Sequence, residues 1–201
     1  MALTIGTNCG FVVTAPTADP SAPTGVQVDY YSHAGRFTSP ADEATITQMG
    51  WWCGNATEAA NFQVGVYSHD LDNDRPLTLL ASSGDTAKGT TAGWKTATVD
   101  YKVDPSTVYW LAAQVDNVTS DTYLDAADAV GESGHLKTSQ GALPSSWGAS
   151  SASGARLLAI YAVYTVPQGG RRGSQVRRFV LGLIRKFIDW IRWLFGAWCF
   201  T

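Results

Sequence analysis

The sequence predicts a mainly β protein: an antiparallel two-sheet β-sandwich over residues 1–166, a Gly/Arg-rich linker over 167–174 and an amphipathic cationic α-helix over 175–201. Three observations carry this. Charged residues make up only 15% of the 201 residues, against roughly a quarter in an average globular chain, and small polar and apolar residues fill the difference. Short apolar/polar alternations, separated by turn-forming stretches, recur up to Val166. After Gln175 the apolar period becomes that of a helix. The composition excludes a disordered chain and a coiled coil.

The strands follow in order. Over 26–31, Val26, Val28 and Tyr30 alternate with Gln27, Asp29 and Tyr31, as in a half-buried strand. Met49, Trp51 and Cys53 share one face of the next, and Phe62, Val64 and Val66 share a face of the third. Residues 77–81 and 94–99 are shorter candidates. Over 108–115, Tyr109, Leu111, Ala113 and Val115 fall on one side with Trp110 and Ala112 opposite. Residues 157–166 are apolar on both faces and predict one internal strand. Pro20-Ser21-Ala22-Pro23 and Ser82-Ser83-Gly84-Asp85 punctuate them as turns.

The body through Val166 carries seven basic against sixteen acidic residues, and the remainder seven against one, so formal charges of −9 and +6 face each other along the chain. In a helix of about 25 residues, about 40 Å long, Arg178, Arg185, Asp189 and Arg192 fall on one narrow polar arc. Val180, Ile184, Phe187, Ile191, Leu194 and Trp198 form the apolar stripe opposite. Such a face predicts an oligomer or membrane interface. Arg185, Lys186, Asp189 and Arg192 interrupt the apolar run, which argues against a spanning segment. Nucleic acid is not an expected partner, because no base-stacking platform stands beside Arg171, Arg172, Arg177 and Arg178.

Chemistry in the body is sparse. His33, His69 and His135 are not at metal-ligand spacing, and a Cys53–His69 nucleophile has nothing to orient it. Asp70, Asp72 and Asp74 alternate as hard-oxygen ligands for calcium would. The competing reading is a solvated hairpin whose Asp and Asn side chains favour turns. No other cofactor is expected. Trp147, in the loop Leu143-Pro144-Ser145-Ser146-Trp147-Gly148, is the candidate for an exposed indole that stacks on a glycan. Cys9 and Cys53 pair only if their strands meet, which spacing leaves open. Met1-Ala2-Leu3-Thr4 has no basic n-region, so the reading expects synthesis in a cytosol.

Gly65-Val66-Tyr67, Arg75-Pro76-Leu77-Thr78-Leu79-Leu80-Ala81, Gly93-Trp94 and Thr107-Val108-Tyr109-Trp110-Leu111-Ala112 together resemble a jelly-roll module of phage virion and bacterial surface proteins. Ile5-Gly6-Thr7-Asn8-Cys9-Gly10-Phe11 and Gly50-Trp51-Trp52-Cys53-Gly54-Asn55-Ala56-Thr57 look like phage structural proteins in particular. The resemblance implies a jelly-roll sandwich without catalytic residues, a non-enzymatic structural or attachment component of a virion assembled in the host cytoplasm. Its implied partners are other copies of itself and other virion proteins. The alternative is a carbohydrate-binding sandwich held at a cell surface or membrane by its helix.

Overall fold

The computed structural model describes residues 2–22, 24–55, 58–116 and 122–167. The chain divides into two compact units, Met1–Val166 and Pro167–Thr201. Almost all of the second, with the expected linker, the helix and its stripe of Val180, Ile184, Phe187, Ile191, Leu194 and Trp198, lies outside the described residues. Among those described, no helix is long and apolar enough to cross a membrane.

The first unit is built from β1 (Gly10–Val12), β2 (Thr24–Gln27), β3 (Tyr31–Thr38), β4 (Ala44–Asn55), β5 (Asn61–Asp70), β6 (Arg75–Ser82) and β7 (Thr86–Ala87). It continues with β8 (Gly93–Val103), β9 (Val108–Val115), β10 (Tyr123–Asp128), β11 (Gly134–Thr138), β12 (Ala152–Gly154), β13 (Arg156–Leu158) and β14 (Ile160–Thr165). These form two sheets. One runs β1-β14-β4-β10-β13, with β2 on β10 and β8 on β4; the other runs β12-β11-β3-β9-β5-β6, with β7 on β5. The fold is mainly β, and the pairings between these strands are antiparallel, except that β1 lies parallel to β14.

Alternation explains which side chains meet. Met49, Trp51 and Cys53 point from β4 into the space between the sheets, where Phe62, Val64 and Val66 of β5 and Leu111, Ala113 and Val115 of β9 answer them. Trp51 is wholly buried and meets Phe62 edge-on at a centroid distance of 6.0 Å. On the other face of β4, Tyr161 packs so closely over Gly50 that a Cβ there would lie 2.7 Å from its ring. Trp94 stands edge-on to both Tyr161 and Trp52, at 5.1 and 5.4 Å.

Two strand expectations are corrected. Residues 157–166 are not one strand but β13 and β14, because the chain changes partner at Ala159. Its N–H donates to the Asp125 carbonyl, 2.9 Å, and its carbonyl accepts from Trp52 N–H, 2.9 Å. The first piece therefore extends β10 and sits at a sheet edge, while the second lies between β1 and β4. Residues 26–31 are likewise broken: β2 ends at Gln27, and Tyr30 turns the chain with φ 59° before β3 begins.

Candidate functional site

The carboxylates that could serve as calcium ligands, Asp70, Asp72 and Asp74, lie in the β5–β6 hairpin, and two of them meet different cations. Asp70 Oδ1 accepts the N–H of Asp72 at 3.2 Å, closing the turn, while its Oδ2 accepts from Asn73 Nδ2 and Arg75 Nε, both at 3.0 Å. Burial pushes the Asp70 carboxyl up, but the hydrogen bonds from Asn73, Arg75 and Asp72 outweigh it and hold it below the ordinary carboxylate range. Asp74 takes a left-handed φ of 45° and receives both its bonds from Arg36 Nη1, at 2.7 and 2.8 Å. Asp72 is exposed. Among the described residues no group of three or more His, Cys, Asp or Glu is placed to hold a metal ion. Asp70 and Asp74 thus hold the hairpin through Arg75 and Arg36, and the three carboxylates are not gathered into one ligand set.

Trp147 is also corrected. It is 0% exposed, because residues 139–151 fold back over the second sheet. The small side chains Ala34 and Ala112 leave room on that face, and Trp147 joins Tyr67, Trp110 and Leu143 there in a second, smaller core. Its ring meets Tyr67 edge-on at 5.2 Å, and its backbone N–H donates to Leu77 O at 2.8 Å. No sugar can reach either face of this indole.

Two imidazoles flank Trp110. The indole N–H donates to His69 Nδ1 at 3.1 Å, so that nitrogen is unprotonated and Nε2 carries the hydrogen, 4.0 Å from Asp74 Oδ1. His135 stands edge-on to the same indole, with centroids 4.9 Å apart. Its Nδ1 is 2.7 Å from Ser150 Oγ, which also accepts the Trp147 indole N–H at 3.0 Å. Desolvation lowers the His135 pKa below its ordinary value, against the opposing pull of Asp74. Lys137 Nζ donates to the Trp147 carbonyl. The ion pairs, imidazoles and hydroxyl therefore tie the hairpin and the covering loop to the sheet.

Neither Cys9 nor Cys53 is in a disulfide, and both are buried. Burial, with the Glu132 charge added, pushes the Cys9 thiol up to about 12, so it is no nucleophile near neutrality. Cys53 packs in the main core while His69 faces outward beside Trp110, so the imagined pair never meets.

The unit also carries a cleft that the strand patterns did not announce. Where the β5–β6 hairpin meets the β8–β9 turn, Ser68, His69, Leu71, Leu80, Tyr101 and Asp104, with the start of β9, enclose about 440 Å³. Leu71 is 86% exposed at its mouth. Tyr101 and Tyr109 form its aromatic wall, edge-on at 6.2 Å. The turn is fixed from behind by Ser39. Its Oγ donates to Asp104 O at 2.6 Å and accepts from Thr107 N–H at 2.9 Å, while Tyr109 Oη accepts from Asp104 N–H at 3.1 Å. The available sequence signal was the extension of the 94–99 strand into Asp100-Tyr101-Lys102-Val103 before the Pro105 turn.

Comparison with known proteins finds no matching family, no matching curated protein and no matching solved structure.

Proposed function

We propose that the chain is a non-enzymatic structural or attachment protein of a phage particle: a decoration, fibre or tail-surface component. In this reading the β domain has jelly-roll topology, and residues 175–201 form an amphipathic helix that docks on neighbouring subunits. One observation supports it above the rest. Among the described residues, three side chains of the kind that serve catalysis are engaged in holding loops: Asp70 with Arg75, Asp74 with Arg36, and His135 with Ser150. That is how a rigid display scaffold uses polar residues. The charge contrast between body and tail, −9 against +6, favours contact between neighbouring copies.

Gold-labelled antibody against the β domain, applied to intact particles purified from the lysate in which the chain is made, tests this. Regular labelling at one locus of the particle is expected. A chain abundant in the lysate but absent from purified particles would overturn the reading.

A further inference from the structure

We infer that the cleft between the β5–β6 hairpin and the β8–β9 turn binds a neutral carbohydrate, with Tyr101 and Leu80 against the C–H face of a sugar ring and Asp104 accepting from its hydroxyls. This rests on the attachment reading and names the ligand class that the surface takes. The volume of about 440 Å³ lies in the lower part of the roughly 300–1,000 Å³ range of small-molecule sites.

The wall chemistry selects the class. Tyr101, Leu80 and Val108 offer apolar surface, and aromatic rings suit the flat C–H faces of sugars. The Asp104 carboxylate makes no hydrogen bond or ion pair among the described residues, although its backbone N–H and carbonyl are both held. The nearest cation in sequence, Lys102, already pairs with Glu43 at 2.7 Å. An anionic headgroup would meet the Asp104 carboxylate, while Lys102, the cation that feels the Asp104 charge, is already paired with Glu43. A purely apolar ligand would strip water from Asp104 and Ser68 and give nothing back. A polyol supplies donors to the carboxylate and accepts from Ser68, whose Oγ takes the Thr78 N–H at 3.2 Å and keeps its own hydrogen. The Ser39 clamp fixes Asp104 and Thr107 beforehand, so little ordering cost falls on binding.

The test is saturation-transfer NMR and calorimetry on the full chain, with methyl glycosides of glucose, galactose, mannose and N-acetylglucosamine and their disaccharides. At least one should bind, and Tyr101→Ala and Asp104→Asn should each weaken it by about tenfold or more. Asp104 is exposed, so Asp104→Asn keeps the fold and guards against a Tyr101→Ala variant that unfolds. Asp72→Ala, on the hairpin outside the cleft, should bind as the wild type does. The inference fails if no probe binds at about 10 mM, if binding survives Asp104→Asn unchanged, or if only an apolar dye occupies the cleft. Particle labelling is read separately, so loss of sugar binding with labelling intact removes this ligand and leaves the particle reading standing.

Discussion

Replacing Trp51 by alanine lowers the stability of the full chain by about 3–5 kcal/mol, the range for emptying a fully buried aromatic site. Trp51 is 0% exposed, lies midway along the longest strand of its sheet and packs edge-on to Phe62 from the opposite sheet. Its loss removes contact across the main core, and the rigid sheets cannot collapse into the space. Trp51→Phe should cost far less. Among the described residues the indole nitrogen has no hydrogen-bond partner, so removing it breaks no polar contact and keeps most of the apolar volume. Urea titrations of the three proteins check both statements through the shift in midpoint at constant slope. A Phe variant as unstable as the Ala variant would show that the indole N–H is engaged.

Acid should weaken the β domain between about pH 6.5 and 4. His33 is buried, and desolvation is the main reason its pKa falls to about 4, with the Arg156 charge adding to it and the Gln27 carbonyl opposing. Its Nε2 lies 2.7 Å from that carbonyl. Unfolding restores the ordinary value, so across this window the unfolded chain binds the proton that the folded chain refuses. The stability is fully present above the unfolded pKa and is lost as pH falls toward the folded one, by about 3 kcal/mol. His135, lowered for the same main reason, acts in the same direction. Unfolding free energies measured across the window should fall with pH, and His33→Gln, which keeps a donor for Gln27, should flatten the slope. An equally steep slope in that variant would place the titration elsewhere.

What was legible in the sequence was whatever depended on neighbours two residues apart. The alternation over 108–115 correctly divides Tyr109, Leu111, Ala113 and Val115 from Trp110 and Ala112, because pleating alone dictates it. Met49, Trp51 and Cys53 share the core face for the same reason. Features set by distant partners were not legible. The break at Ala159 comes from hydrogen bonds to Asp125 and Trp52, more than thirty and a hundred residues away respectively. Trp147 has loop composition on both sides, yet it is buried because Ala34 and Ala112 leave a hollow for it. Asp74 resembled a metal ligand until Arg36, 38 residues earlier in the chain, took both its oxygens. Tyr101 and Asp104 acquire a role only where two separate hairpin ends converge.

In the proposed function the β domain is a self-contained scaffold and assembly resides in the tail stripe. Ile184→Asp and Ile191→Asp, introduced together in the full chain, test it most directly through light scattering and particle incorporation. A charge in that stripe should forfeit burial of roughly 1.5–3 kcal/mol per large apolar side chain. The variant is expected to keep the unfolding of the β domain unchanged, to stay monomeric and to fail to enter particles. A variant that assembles as the wild type does, while losing a wild-type affinity for anionic liposomes, would contradict the proposed function.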